Sequence, residues 1–127
     1  MFNIFIQTHF SAGHHLRNYP GNCEQPHGHN WQVEVTVRAE KLDELGMGID
    51  FRTVKKAVQK VMNDLDHRNL NEHPFFLDRN PSSENIAVYI FNRLKEDLNS
   101  DRYRLHSITT KETEHTGTTY FGDHPAI

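Results

Sequence analysis

The chain has 127 residues, a formal net charge of −3, one cysteine and ten histidines. This length fits a single domain, residues 1–127, that can bury a core without disulfides. The lone cysteine excludes an internal disulfide and suits a reducing compartment, so we expect a cytoplasmic protein. The acidic balance argues against nucleic acid as the partner. No stretch approaches the roughly 20 apolar residues of a membrane span, which argues against a membrane protein.

Two strands are predicted in the first third of the chain. Residues 2–10 and residues 30–39 each alternate in apolar and polar character, which is the period of a half-buried strand. Between them, residues 18–22 have the composition of a loop. We therefore expect a hairpin whose long connection carries Cys23. One face of the first strand would carry Ile4, Ile6, Thr8 and Phe10.

Two helices are predicted next. Asp50 is a favourable N-cap for the first helix, and Ser82 or Ser83 for the second, which begins after Pro81. Each helix has an apolar stripe of the kind that lies on a sheet. The first stripe is Phe51, Val54, Val58, Val61, Met62 and Leu65, and the second is Ile86, Ala87, Ile90, Phe91, Leu94 and Leu98.

Two more strands, residues 105–113 and 116–121, are predicted to close the chain and to turn at residues 114–117. The order ββααββ predicts an α+β fold, a four-stranded antiparallel sheet of two hairpins with both helices on one face. Such a sheet leaves its other face and its edges without cover. We therefore expect the protein to form oligomers.

The strongest chemical signal is the segment from Cys23 to His29. Side chains alternate along a strand, so His27 and His29 share a face and can converge on one ion. Catalytic zinc usually takes three protein ligands, and the residues after the first strand offer the third, in His14 or His15. Cys23 lies in a polar, turn-forming stretch. We therefore favour a reactive thiol beside a metal over a small buried core residue.

Two carboxylates have two interpretations each. Asp66 precedes His67 after the first helix, where it could fix the imidazole tautomer and support a proton donor. The alternative, which the sequence alone favours, is a pair of polar residues that end the helix, with His67 near the negative end of its dipole. Glu112 lies near the end of the third predicted strand and could accept paired N–H groups from a guanidine-like ligand edge. Its alternative is a surface salt bridge with Lys111 or Arg104.

Six short motifs follow one another along nearly the whole chain. They are Phe-x-Ala-x-His (10–14), Cys-x-x-x-His-Gly-His (23–29), Gly-x-Ile-Asp-Phe (matched from Gly46 or Gly48 to Phe51), Leu-Asp-His-x-x-Leu-Asn (65–71), Ser-Glu-Asn (83–85) and Lys-Glu-Thr (111–113). Most are weak alone, but six in this order are specific. Together they resemble the superfamily of 6-pyruvoyltetrahydropterin and 6-carboxytetrahydropterin synthases.

This resemblance implies the tunnelling fold, in which two hairpins and two helices assemble into trimers, and two trimers stack into a homohexamer with active sites between subunits. It also implies a zinc cofactor. The implied site residues are His14, His27 and His29 as zinc ligands, Cys23 as the catalytic thiol, Asp66 and His67 as its proton-transfer partners, and Glu112, Glu24 and Ser83 as substrate-binding residues.

The implied substrate is 7,8-dihydroneopterin triphosphate, for which three products compete. The spacing between Cys23 and His27 resembles the bacterial 6-carboxytetrahydropterin synthase of queuosine biosynthesis, which also releases acetaldehyde. The helix at Ser83 resembles the pyruvoyl-forming enzymes. A third branch uses glutamate in place of cysteine to form 6-hydroxymethyl-dihydropterin for folate synthesis, a role open to Glu24. Outside enzymes, the alternative is a non-catalytic zinc- or pterin-binding module, which the combination of a thiol with an Asp–His pair disfavours.

Overall fold

A five-stranded sheet carries two helices. The computed structural model describes residues 1–20 and 25–123. In chain order the elements are β1 (Phe2–His14), β2 (His27–Ala39), α1 (Phe51–Leu65), β3 (Arg68–Asn69), two 3-10 turns (Leu70–Glu72 and Pro74–Phe76), α2 (Ser83–Leu94), β4 (Tyr103–Thr113) and β5 (Thr116–Tyr120). Within the described ranges, no helix is long and apolar enough to cross a membrane.

The strands lie in the order β3-β1-β2-β4-β5, and all neighbours are antiparallel except β3, which runs parallel to β1. The predicted α+β class with two helices is confirmed. The four-stranded antiparallel sheet in the order ββααββ needs correction, because β3 adds a fifth strand between the helices. Arg68 and Asn69 pair there with Ala12 and Gly13. Two exposed polar residues have no alternation, so the apolar pattern could not reveal this strand.

The hairpin of β1 and β2 extends beyond its apolar pattern. The pairing runs from Phe2 opposite Ala39 to His14 opposite His27, past the predicted limits at residues 10 and 30. The added residues are mostly small or polar and do not alternate in hydropathy. Their backbone groups nevertheless continue the ladder, because each strand supplies the other's hydrogen-bond partners.

Capping residues set where the helices begin. The Asp50 side chain accepts a hydrogen bond from the Arg52 N–H at 2.8 Å, and the Ser82 hydroxyl accepts one from the Asn85 N–H at 3.1 Å. Both are N-caps, as predicted. The predicted stripes are buried except at Phe51, the first residue of α1, which is 56% exposed. Its side chain lies too close to the helix start to reach the sheet.

Both helices pack on the sheet face that carries Trp31, Val33 and Val35 of β2. Trp31 is fully buried and stacks on Phe10, with ring centroids 6.1 Å apart. This pair closes the core near the end of β1. Residues of β1 and β2 that lie on this face beyond Phe10 and Trp31, toward the hairpin connection, are therefore at the edge of a packed, apolar interior.

The cap of α1 supports a first prediction. Replacing Asp50 by Ala leaves the Arg52 N–H without its side-chain acceptor, and we expect the free energy of unfolding to fall by about 1 kcal/mol. Asp50→Ser keeps an N-cap oxygen and should stay near wild type. Urea unfolding of the three proteins at one fixed concentration measures the difference. Equal midpoints for Asp50→Ala and wild type would contradict the capping role.

Candidate metal centre

Three histidines continue the helix-covered face of the hairpin. His14 follows Ala12 at the next inward position of β1, and both are buried. His27 and His29 precede Trp31 at alternate positions of β2. The register sets His14 opposite His27 and Ala12 opposite His29. Because side chains on a strand alternate with a period of two, all three imidazoles lie on one face.

The three rings meet edge to face beside the indole of Trp31. The ring centroid of His14 lies 4.6 Å from that of His27 and 5.3 Å from that of His29. The rings of His14 and His29 lie 5.0 and 5.5 Å from that of Trp31. The cluster thus has an aromatic wall that restricts ring rotation and excludes water on one side.

Backbone carbonyls select the ring nitrogens that point into the cluster. Nδ1 of His14 lies 2.7 Å from the carbonyl oxygen of Pro81, and Nδ1 of His27 lies 2.9 Å from that of Gln25. A carbonyl only accepts, so each Nδ1 carries the proton and each Nε2 keeps its lone pair. Within the described residues, the buried Nε2 of His14 makes no hydrogen bond. Metal-binding histidines are usually oriented in this way.

Alternation along β4 places Glu112 on the inner face of the sheet. Ile108 and Thr110, four and two residues before it, are fully buried, and side chains of a strand alternate with a period of two. The pairing with β5 then passes from Lys111 opposite Gly117 to Thr113 opposite Thr116, which leaves Glu112 without a residue opposite it. The face on which this carboxylate lies follows from spacing, whereas its contact with the histidines depends on the tertiary fold.

The Glu112 carboxylate lies against the imidazoles, in place of the alternative surface pair with Lys111 or Arg104. Its Oε1 atom is 3.0 Å from Nε2 of His14 and 3.2 Å from Nε2 of His29. The donor atoms of His14, His27, His29 and Glu112 all lie within 4.8 Å of one another. Imidazole nitrogens with a carboxylate oxygen are donors that zinc takes in proteins. These residues therefore fit a metal ion.

Asp66 and His67 form a hydrogen-bonded pair that is attached to β1. Oδ1 of Asp66 accepts a hydrogen bond from the Ser11 N–H at 2.8 Å, and Oδ2 lies 2.9 Å from Nδ1 of His67. The Ser11 N–H is the main cause of the lowered Asp66 pKa; partial burial opposes it, and His67 adds to it. The His67 N–H donates to the Ser11 carbonyl at 2.5 Å. Asp66 is also the C-cap of α1, so the pair both ends the helix and forms an oriented dyad.

One histidine of the cluster, His29, and one of the dyad, His67, line a common groove of about 340 Å³, beside Gly28 and Arg68. The short strand β3 holds this arrangement, because it follows the dyad directly and pairs with the end of β1. The His67 side chain is 83% exposed. A ligand in the groove can therefore contact His29 and His67 together.

The remaining predicted site residues are placed differently. The Ser83 hydroxyl lies 2.8 Å from that of Thr110 and ties α2 to β4. His15 stands apart from the cluster, and its backbone N–H donates to Oδ1 of Asn71 at 2.9 Å. Cys23 and Glu24, predicted as the thiol and a second carboxylate, lie outside the described residues.

Known proteins that resemble this chain have several reaction names. A solved structure of Caenorhabditis elegans 6-pyruvoyl tetrahydropterin synthase superposes with a TM-score of 0.83 at 31% identity and covers 96% of each chain. The 6-carboxy-5,6,7,8-tetrahydropterin synthase of Rickettsia typhi is 31% identical over 124 residues, 83% of this chain and 89% of that protein. The dihydroneopterin monophosphate aldolase of Pyrococcus furiosus is 38% identical over 98 residues, 77% of this chain and 79% of that protein.

The family assignment rests on nearly the whole chain. Residues 3–123 match the model of the 6-pyruvoyl tetrahydropterin synthase family. This range contains both helices, strands β2 to β5, all of β1 except Phe2, and every residue of the histidine and carboxylate cluster. The predicted resemblance is confirmed, and the chain belongs to the 6-pyruvoyl tetrahydropterin synthase family.

Proposed function

We propose that the protein is a zinc-dependent lyase that converts 7,8-dihydroneopterin triphosphate to 6-carboxy-5,6,7,8-tetrahydropterin and releases acetaldehyde and triphosphate, a step of queuosine biosynthesis. The observation that carries this proposal is a three-histidine cluster and an oriented Asp–His pair that each contribute one histidine, His29 and His67, to the same groove. Family membership supplies the pterin chemistry. The carboxy product is supported by the bacterial relative of that name and by the spacing between Cys23 and His27.

Each group has a place in this reaction. Zinc, when bound by the three histidines, supplies Lewis acidity toward the side-chain hydroxyls of the substrate. Cys23 acts as the base that removes a neighbouring C–H proton, since positive charge nearby favours the thiolate. The Asp66 carboxylate accepts the hydrogen bond from Nδ1 of His67. The other ring nitrogen, Nε2, is therefore the atom that returns a proton to the substrate.

Three residues are proposed to hold the substrate. Glu112 accepts two N–H groups of the pterin ring, for which its position beside the metal cluster is suitable. Ser83 stands at the start of α2 and offers a hydroxyl near the same end of β4. Glu24 is the neighbour of the proposed base in sequence and is assigned to the substrate side chain.

Two other products have specific support. The C. elegans relative is named as a pyruvoyl-forming synthase, which fits elimination of triphosphate without cleavage of the side chain. The P. furiosus relative is named as an aldolase of dihydroneopterin monophosphate, which fits a hydroxymethyl pterin product, with Glu24 as base. A non-catalytic binding module has less support, because it needs no oriented proton donor beside its metal.

We also propose a cytoplasmic homohexamer of two stacked trimers with active sites between subunits. β5 ends the sheet, so its outer edge faces away from the other strands. Phe2 and Phe5 of β1 are 48% and 53% exposed. Open sheet edges and exposed aromatic side chains are features that association covers.

Incubation of the zinc-loaded protein with 7,8-dihydroneopterin triphosphate tests the reaction. We expect mass spectrometry to detect 6-carboxytetrahydropterin, acetaldehyde and triphosphate. A pyruvoyl or a hydroxymethyl pterin as the main product would replace the proposed branch with the corresponding alternative. Cys23→Ala should keep its zinc and lose the carboxy product by about 100-fold or more, as expected for removal of a catalytic base. Full carboxytetrahydropterin activity in that variant would exclude the proposed role of the thiol.

His27→Ala tests the metal ligands. We expect zinc affinity to fall at least about 100-fold, because loss of a ligand should exceed the effect of losing an outer hydrogen bond. Elemental analysis after gel filtration measures the bound zinc. His115→Ala, an exposed histidine in the turn between β4 and β5, is the control and should keep full stoichiometry. A His27→Ala protein with one zinc per subunit would remove this residue from the site.

Glu112→Gln separates two roles for this carboxylate. If Glu112 anchors the pterin, the amide NH2 of the glutamine would face a ring N–H, so two donors would meet at a cost of roughly 1–3 kcal/mol. Calorimetry should then show about tenfold weaker pterin binding with zinc content unchanged. Loss of zinc would instead identify Glu112 as a metal ligand. The neighbouring exposed Glu114 provides the control Glu114→Gln, which should bind both as wild type does. Unaltered zinc and pterin affinity would remove Glu112 from the site.

A further inference from the structure

Arg68 borders two depressions on the surface. One is the groove that it shares with His29 and His67. The other is a cavity of about 610 Å³, whose lining includes Asp64, Arg68, His73, Phe75, Arg79 and Tyr89. We call it the arginine cavity. Because one side chain lines both spaces, a ligand that extends out of the groove past Arg68 enters the arginine cavity.

Arg79 presents a cation that is held in place. Its guanidinium carbon lies 4.2 Å from the ring centroid of Phe75, an arrangement that fixes the planar group while leaving its edge for ligands. Nε of Arg79 is 3.3 Å from Oδ1 of Asp78, and the side chains of Arg79 and Asp78 are 21% and 77% exposed. A carboxylate that lies mostly in solvent is a weak ion-pair partner. An incoming anion can therefore compete with Asp78 for this half-buried guanidinium.

The carboxylate of the cavity is already supplied with donors. Oδ2 of Asp64 accepts a hydrogen bond from the Tyr89 hydroxyl at 2.5 Å and lies 2.9 Å from Nε2 of His73. Burial raises the Asp64 pKa, but these two bonds outweigh it and the pKa is lowered overall. Burial and the neighbouring Asp64 raise the pKa of Tyr89 to about 12, so its hydroxyl stays a donor. The single charge of Asp64 is shared among these partners and does not face a ligand alone.

Arg68 keeps donors for a second partner. Its hydrogen bonds within the described residues run from Nη1 to the backbone and side-chain oxygens of Asp64, at 3.2 and 3.3 Å. A guanidinium has five N–H donors in a planar fork. Its other nitrogens remain for an oxygen-rich anion, which arginine recognises through paired hydrogen bonds. The backbone of Arg68 is fixed by pairing with Ala12, two residues before His14.

We infer that Arg68 and Arg79 bind the phosphate chain of the substrate, with Arg68 at the exit from the metal groove and Arg79 further along. This inference rests on the proposed function and names a binding site for the phosphates that the reaction releases. Two guanidiniums along one path suit a chain of several phosphates better than a single phosphate. A purely structural role for both arginines predicts no effect on ligand binding.

The test compares two unreactive probes, neopterin and neopterin triphosphate, by calorimetry on the zinc-loaded protein. We expect the triphosphate to bind more tightly than neopterin to the wild type. Arg68→Gln and Arg79→Gln should each weaken triphosphate binding about tenfold, as expected for a lost charge-assisted contact, and leave neopterin binding unchanged. Unchanged neopterin binding also shows that each variant is folded.

Arg52→Gln is the matched control. Arg52 is 90% exposed and lies near the start of α1, a helix of 15 residues and thus about 22 Å long, whereas Arg68 follows its end. Arg52→Gln removes one positive charge, as the two test variants do, and should change the affinity neither for neopterin nor for neopterin triphosphate. If the wild type and the three variants all bind neopterin normally and bind the triphosphate equally well, the inference about the arginines is wrong and the proposed function is unaffected. Absence of neopterin binding in the wild type would count against the proposed function and this inference together.

Discussion

The register between β1 and β2 is the constraint on which the site depends. A slip of one residue would move every side chain of a strand to the opposite face. His27 and His29 would then leave the face of His14, and the cluster would not exist. The register is held by the buried side chains that alternate along both strands, such as Phe10 and Trp31. Burial of each such side chain stabilises the fold by about 1.5–3 kcal/mol. The core thus fixes the register, and the register sets the direction of the three histidines that lie outside the core.

Three separate parts of the chain return to the end of this hairpin. Asp66 binds the Ser11 backbone, the Pro81 carbonyl orients His14, and the end of β4 brings in Glu112. The first two use a backbone group, and the third uses a residue of the sheet itself. Such groups have few alternative positions, and a site supported in this way needs little rearrangement when a ligand arrives.

The sequence predicts the parts of this structure that depend on periodicity. The helices and their caps at Asp50 and Ser82, and the shared face of His27 and His29, all follow from spacing. What could not be predicted depends on contacts between distant residues. The strand at Arg68 has no pattern of its own, and the contact of Glu112 with the histidines joins residues far apart in the sequence. The contact between Asp66 and His67 depends in the same way on the Ser11 backbone, while the role of the pair in proton transfer stays a prediction.

The pair of His14 opposite His27 is the last pair of the hairpin, and residues 15–26 connect the two strands. The candidate ligands thus belong to the ladder, while the proposed base belongs to the connection. Changes of length or composition in a connection are tolerated better than changes in a ladder. Substitutions in the connection can therefore change the reacting group while the histidines of the ladder stay in register. Relatives that carry three reaction names are what such a division between a paired ladder and a variable connection would produce.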